Sequence, residues 1–253
     1  MTLAIDLYCG LGGWTEGLLA EGYEVIGFDI ERHVYGEQRY PAQLVLQDVL
    51  TIHGKQFKDA ALIVASPPCQ EYSYMAMPWS RAKAIAAEYR AGVRDVKKLT
   101  ALFDACFRIQ REACEAAGHF IPLVVENVRG AQPWVGRSRW NYGSYHLWGD
   151  VPALMPMTKH TKLPKEISAS IRIGKKETGR NPVHEAVKGV GIGSVSWAQG
   201  EGQRHPNDPR NTWSNSTARK AASALIAKIP LALARHIAWA WKPMELRSEH
   251  GQG

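Results

Sequence analysis

The chain has 253 residues, of which 45% are hydrophobic and 22% are charged, and it carries a formal net charge of +7. This composition excludes a disordered or fibrous chain and fits one α/β domain with room for a small second lobe. No apolar run approaches the roughly 20 residues that cross a bilayer, and no signal peptide opens the sequence, so we expect a cytoplasmic protein without a membrane partner. The positive charge favours a polyanionic partner.

Short apolar runs and helical patterns alternate over residues 3–130. A helix over WTEGLLAEGY, which closes at Gly22, and a long helix over residues 81–117 are predicted between strands. Strands that alternate with helices predict a doubly wound, mostly parallel sheet. The five predicted strands are LAIDLY (3–8), EVIGFDI (24–30), LVLQDV (44–49), ALIVAS (61–66) and IPLVVENV (121–128).

The composition and periodicity of the sequence change after about residue 150. Residues 158–215 are rich in Lys, Arg, Gly, Asn and Ser with little periodicity, which predicts a small irregular lobe. Residues 217–241 return to a helical pattern, with Pro230 at a break or a fresh first turn. We therefore divide the chain into a catalytic and cofactor-binding domain (1–157), a small recognition region (158–215) and a C-terminal helix that returns to the first domain (216–253).

The four cysteines predict free thiols and no metal site. Cys9, Cys69, Cys106 and Cys114 form no Cys-x-x-Cys pair, and no cluster of histidines supplies the spacing of zinc ligands. A reducing compartment is the simpler interpretation.

The first motif is DLYCGLGG at residues 6–13. Glycines after a first strand let the backbone turn tightly and approach a ligand closely. Asp29, at the end of the second strand, lies where an open α/β sheet usually holds a ribose. The alternative is a tight structural turn, and the spacing does not favour a nicotinamide cofactor.

Two further motifs follow the ends of later strands. In SPPCQEYS, residues 66–73, Cys69 lies in a loop stiffened by two prolines, where ligands of such sheets bind; the alternative is a buried packing cysteine. In VVENVRG, residues 124–130, the Glu126 carboxyl would be partly desolvated, which favours its protonated form. The alternative for Glu126 is a helix cap or a solvated acid.

Together these three motifs resemble those of the DNA cytosine-5 methyltransferase family, both in their order along the chain and in their amino-acid sequences. The resemblance covers residues 1–130 well and continues loosely to the C-terminal helix. It implies the Rossmann-like fold of S-adenosylmethionine-dependent methyltransferases, with a small irregular target-recognition lobe. In its compact size and in the stretch WVGRSRWNYGSYHLWGDVPALMP, the chain resembles phage or prophage members of this family.

The resemblance implies covalent catalysis on a cytosine flipped out of duplex DNA by a monomeric enzyme. Cys69 would add to carbon 6, Glu126 would contact N3 and the exocyclic amine, and Asn127 would orient that wall of the pocket. S-adenosylmethionine would be the methyl donor. Its implied contacts are Tyr8, Gly10, Leu11, Gly12, Asp29, Ile30, Asp48, Val49 and Pro68.

The sequence departs from the family pattern after Glu126. The usual Gln-x-Arg-x-Arg motif has its nearest match in GRSR, so Arg139 is favoured as the arginine on the flipped base, ahead of Arg137 and Arg172. The helix and strand that usually precede this motif are expected to be missing. The Gly-Asn-Ser segment of the family cannot be identified near the C-terminal helix, so the last cofactor contact is unassigned.

The predicted DNA-facing residues fall in two places. Residues 158–182 hold seven basic and two acidic side chains where the family places target recognition, although such a run is usually a solvated face. Phosphate contacts from this run would set register while few side chains read bases. The implied contacts to DNA are Gln70, Ser73, Arg137, Arg172, Lys175 and Lys176.

Three other functions stay open. One branch of the family methylates tRNA cytosine on the same fold, and a catalytically silent DNA-binding protein could keep the fold, although Cys69 and Glu126 argue against that. A Rossmann-type oxidoreductase would leave the Pro-Cys-Gln loop unexplained. Restriction-modification, phage self-protection and an orphan enzyme are all compatible with the sequence.

Overall fold

The central element is a seven-stranded sheet in the order β5-β2-β1-β6-β7-β9-β8. The structure, a computed structural model, describes residues 2–69, 72, 79–143, 145–155, 220, 224–225 and 227–243. Neighbouring strands run parallel from β5 to β7, whereas β9 is antiparallel to both β7 and β8. The strands are β1 (Thr2–Leu7), β2 (Tyr23–Asp29), β5 (Gln43–Leu46), β6 (Ala60–Ala65), β7 (Leu123–Asn127), β8 (Trp140–Tyr142) and β9 (Tyr145–Gly149), with a separate hairpin of β3 (Val34–Tyr35) and β4 (Gln38–Arg39).

Helices cover both faces of this sheet, which confirms the predicted doubly wound α/β architecture. The helices are α1 (Gly13–Ala20), α2 (Trp79–Arg90), α3 (Val96–Ala117), α4 (Gln132–Val135) and α5 (Leu231–Trp241). Short 3-10 turns cover Val49–Thr51, Gly54–Phe57 and Arg129–Ala131. Among the helices of the described ranges, none is long and apolar enough to cross a membrane.

Two hydrophobic layers follow from the alternation of side chains along the strands. Ile5, Ile63 and Val125 point to the face that α3 covers. Leu62 and Val124 point to the opposite face, where α1 and α5 pack. Lys228 and Glu16 form an ion pair of 2.5 Å that joins the start of α5 to α1.

The helical pattern predicted over residues 81–117 is confirmed, but it forms two separate helices, α2 and α3, and not one. Gly92, with φ +74°, ends α2, and the N–H groups of Gly92 and Val93 donate to Tyr89 and Glu88 in a Schellman-type closure. The Asp95 side chain then accepts from the Lys97 N–H at 2.9 Å and starts α3.

The expected loss of a helix between Glu126 and the GRSR stretch is wrong, because the one-turn helix α4 lies there. The expected loss of a strand is confirmed for this stretch, since β8 begins only after Arg139. A four-residue helix and a three-residue strand are too short to carry a recognisable periodicity in the sequence.

Parallel strands place the predicted motifs at one edge of the sheet. The Gly-rich turn follows β1, and Asp29 ends β2. The Pro-Pro-Cys loop follows β6, and Glu126 is the penultimate residue of β7. The recognition region 158–215 and the predicted DNA contacts Gln70, Ser73, Arg172, Lys175 and Lys176 lie outside the described residues.

Candidate active site

The Gly-rich turn after β1 has a left-handed backbone conformation at every second residue. Tyr8, Gly10 and Gly12 have φ of 58°, 51° and 77°. A Cβ on Gly12 would lie 2.5 Å from Pro41, so this glycine is required by packing. A Cβ on Gly10 would meet nothing within 4 Å, so the backbone there faces open space that a ligand can occupy.

Asp29 lies beside this open backbone. Its Oδ2 accepts from the Gly10 N–H at 2.9 Å, and its Oδ1 accepts from the Ile30 N–H at 2.8 Å. Burial opposes ionisation of Asp29, but the contact with His33 and the Gly10 N–H outweigh it and lower the pKa of the carboxyl. The turn therefore presents an ionised carboxylate next to accessible backbone.

The other predicted cofactor residues differ in what they present. Ile30 is 73% exposed beside Asp29, whereas Leu11 and Val49 are buried. The Tyr8 hydroxyl donates to the Leu102 carbonyl at 2.9 Å. The Asp48 Oδ1 accepts from the Leu50 N–H at 2.9 Å, and Pro68 is exposed.

The Cys69 loop is tied to its neighbours on both sides. The Asn127 amide donates to the Pro67 carbonyl at 3.0 Å, and the Trp14 indole N–H donates to the Ser66 hydroxyl at 3.0 Å. The Tyr72 N–H donates to the Cys69 carbonyl at 3.0 Å, which closes a tight turn after the thiol. These bonds join the loop to β7 and to the helix that follows the Gly-rich turn.

Cys69 differs from the buried cysteines. Burial raises the pKa of the Cys9 and Cys106 thiols well above their ordinary value. Cys69 is half-buried at the sheet edge, and Glu126 on the adjacent strand is 8% exposed. The predicted nucleophile therefore follows β6, and the predicted acid lies near the end of the neighbouring strand β7.

The arginine assignments stay predictions. Glu126 faces Leu147 across β7 and β9, and Leu147 faces Trp140 in β8. The Arg139 N–H donates to the Leu147 carbonyl at 2.8 Å. Arg139 immediately precedes Trp140, so the Arg139 side chain starts from the face of the sheet opposite to that of Glu126. Arg137 and Arg139 are both exposed.

An exposed basic surface runs from α2 to α4, and sequence reasoning missed it. The Tyr89 ring meets Trp134 edge-on at 5.5 Å, and the Arg90 guanidinium lies over Trp134 at 5.9 Å. These contacts bring the end of α2 next to the loop that carries Arg137. The available signal was six basic against two acidic side chains in residues 79–98. The exposed basic residues of this α2–α4 surface are Arg81, Lys83, Arg90, Arg94, Lys97, Lys98, Arg129, Arg137 and Arg139.

Two further groups near the Gly-rich turn were also missed. His33, four residues after Asp29, places Nε2 at 3.6 Å from the Asp29 Oδ1. Asp6 is buried beneath the turn and accepts from the Thr15 hydroxyl at 2.6 Å, and burial raises its pKa to about 7. Within the described ranges, no group of three His, Cys, Asp or Glu side chains could hold a metal ion.

Comparison with known proteins gives one family match and a set of similar solved structures. The model of the family described as C-5 cytosine-specific DNA methylase matches residues 3–103. That range contains the Gly-rich turn, Asp29 and Cys69 and ends before Glu126. No curated protein matches the chain.

Two of the similar solved structures are distant in sequence. A candidate DNA modification methyltransferase encoded within a prophage of E. coli is 20% identical, with 52% of this chain covering 33% of that chain and a TM-score of 0.34. The S. pombe Dnmt2 methyltransferase is 13% identical, with 96% of this chain covering 99% of that chain and a TM-score of 0.48. The chain thus spans a third of the length of the E. coli structure. Residues 3–103 are therefore similar in sequence to the C-5 cytosine-specific DNA methylase family.

Proposed function

We propose that this protein transfers a methyl group from S-adenosylmethionine to carbon 5 of a flipped-out cytosine in duplex DNA. The observation that carries the proposal is the hydrogen bond from Asn127 to the Pro67 carbonyl. It ties the Cys69 loop to the strand end that carries Glu126, at the same sheet edge as Asp29 and Gly10. The proposed nucleophile, acid and ribose ligand thus belong to loops and strand ends at one edge of the sheet, which supports the proposal.

The residues around Gly10 fit the proposed cofactor. The open space at Gly10 accommodates a ligand close to the backbone, and the Asp29 carboxylate can accept from ribose hydroxyls. Exposed Ile30 offers an apolar surface for the adenine, and Asp48 can accept from the adenine amine. When bound there, S-adenosylmethionine supplies an electrophilic methyl group.

The proposed chemistry begins at carbon 6 of the base. The Cys69 thiolate forms a bond to carbon 6, and the electron pair of the C5–C6 double bond moves towards carbon 5. A protonated Glu126 donates to N3, and its other oxygen accepts from the exocyclic amine, which stabilises the charge that moves into the ring. After methylation, water takes the carbon-5 proton, and the electron pair of that C–H bond re-forms the C5–C6 double bond and expels the Cys69 thiolate.

A duplex that contains 5-fluorocytosine tests this chemistry, because fluorine cannot leave as a proton does and the adduct persists. We expect a covalent complex, resistant to denaturing gel electrophoresis, with the wild type and with Cys114→Ser. Cys114 is a matched control, since it is half-buried like Cys69 but accepts from the Ile121 N–H at 3.2 Å, far from the loop. Cys69→Ser should form no adduct.

Two outcomes would overturn the proposal. An adduct that persists in Cys69→Ser would assign the chemistry to another group. Methyl transfer to tRNA but not to duplex DNA, measured with labelled S-adenosylmethionine, would keep the fold and the chemistry but replace the substrate.

A further inference from the structure

The Asp29 carboxylate is nearly saturated by groups of its own chain. Oδ1 accepts from the Ile30 N–H at 2.8 Å and the Glu31 N–H at 3.4 Å, and His33 Nε2 lies 3.6 Å away. Within the described residues, Oδ2 accepts only from the Gly10 N–H, at 2.9 Å. A ribose with two hydroxyls therefore meets one accessible oxygen of Asp29 and the edge of the His33 ring.

Three titratable groups of the described residues face the His33 ring. Asp29 lies on the Nε2 side, while the Glu31 carboxylate at 3.7 Å and the Tyr35 hydroxyl at 3.5 Å lie on the Nδ1 side. The contact with Asp29 raises the pKa of His33, against the opposing effect of burial, and Glu31 adds to the rise. The His33 side chain is 21% exposed, so solvent and a ligand can both reach it.

Resting on the proposed function, we propose that S-adenosylmethionine binds the form in which His33 is neutral, so that cofactor binding releases a proton. Protonated His33 donates towards Oδ1 and offsets the charge of Asp29. Neutral His33 with its hydrogen on Nδ1 offers the Nε2 lone pair, which can accept one ribose hydroxyl while Oδ2 accepts the other. A neutral ring also removes a positive charge from the neighbourhood of a cationic sulfonium cofactor.

The proposal fixes the sign of the pH dependence. Affinity for S-adenosylmethionine should fall as the pH drops through the raised pKa of His33, by up to about one log unit of Kd per pH unit. Asp29 does not contribute in this window, because its hydrogen bonds and the contact with His33 lower its pKa from the ordinary carboxyl value. Proton release, measured by calorimetry in two buffers of different ionisation enthalpy, should rise towards one per cofactor at low pH.

His33→Gln removes the titration but keeps a side chain that can bond a hydroxyl. Its affinity should vary little between pH 5.5 and 8.5, and its proton release should vanish. His53→Gln is the matched control, since His53 forms the same kind of pair with Glu112 at 3.5 Å but lies before β6, at the opposite edge of the sheet. That variant should keep the wild-type pH dependence.

The outcomes separate this inference from the proposed function. Wild-type binding without proton release between pH 6 and 8, or an unchanged pH dependence in His33→Gln, overturns the role of His33. Asp29→Asn with wild-type cofactor affinity overturns the ribose site itself. Weak binding in Asp29→Asn together with a flat pH profile in His33→Gln supports both.

Discussion

At the scale of single residues, two residues of the same amino-acid type differ in role according to where they lie on the sheet. Cys9 and Cys106 lie in packed layers where burial disfavours the thiolate, whereas Cys69 lies half-buried after β6. Asparagines divide in the same way. Asn127 is 1% exposed and bridges two strand ends, and Asn141 is exposed and bonds within its own turn.

This contrast gives a prediction for Asn127→Ala. The Pro67 carbonyl loses its amide donor, so the free energy of unfolding should fall by about 1–3 kcal/mol. Turnover should fall more than cofactor affinity, because Pro67 lies two residues before Cys69 and the loop loses its anchor to β7. Urea unfolding and methyl transfer from labelled S-adenosylmethionine measure the two effects.

Asn141→Ala is the control for that variant. It removes a hydrogen bond of similar length, 3.1 Å, from an exposed turn, and should change stability by less than about 0.5 kcal/mol. Equal effects of the two substitutions on stability and turnover would contradict the anchoring role of Asn127.

At the scale of elements, the junction of β1 and α1 holds a buried acid. Asp6 accepts from Thr15, whose hydroxyl also contacts the Tyr40 hydroxyl at 2.7 Å. The other oxygen of Asp6 has no partner among the described residues. Because burial is the main cause of the raised pKa, the folded state favours the protonated carboxyl.

The sign of the resulting pH effect is defined. The folded pKa of about 7 lies above the ordinary value of 3.8, so the contribution of Asp6 to stability is full below about pH 4 and is lost as the pH rises to about 7. In Asp6→Asn this loss is absent, so its unfolding free energy relative to the wild type should increase with pH, by at most about 4 kcal/mol. Urea unfolding from pH 4.5 to 8 measures this difference.

Tyr40→Phe is a control within the same network. It removes the hydroxyl beside Thr15 but keeps the carboxyl, so the wild-type pH dependence should remain. A constant difference between Asp6→Asn and the wild type across this pH range would show that Asp6 is ionised in the folded protein throughout.

Elements with long or repeated patterns could be predicted from the sequence, and short ones could not. The runs over β1, β2, β6 and β7 are apolar and end at turn residues, so their ends could be located, and with them Asp29, Cys69 and Glu126. The break between α2 and α3 depends on Gly92 and Asp95, which are local signals inside a continuing helical pattern. The contact of His33 with Asp29 and the stacking of Arg90 on Trp134 require the folded chain.

At the scale of the whole molecule, basic side chains occur at both edges of the sheet. The α2–α4 surface lies beside the strand ends that carry Cys69 and Glu126. Lys55 and Lys58, also exposed, precede β6 at the opposite edge. If the proposed function is correct, only the first group can meet the phosphates that flank a flipped cytosine. The predicted contacts of Lys175 and Lys176 lie outside the described residues and stay a prediction.

The double variant Arg90→Gln, Lys97→Gln tests this surface. Each lost phosphate contact should reduce the slope of log affinity against log salt by about 0.9, so the slope for duplex DNA should flatten by about 1 to 2 units. Lys55→Gln, Lys58→Gln removes the same number of exposed charges at the opposite edge and should leave the slope near its wild-type value. Fluorescence anisotropy between 50 and 300 mM salt, about the range in which such contacts weaken, measures both. Equal flattening in the two variants would reduce the effect to net charge and would place the DNA away from the α2–α4 surface, since a contact surface must respond more strongly than the edge behind it.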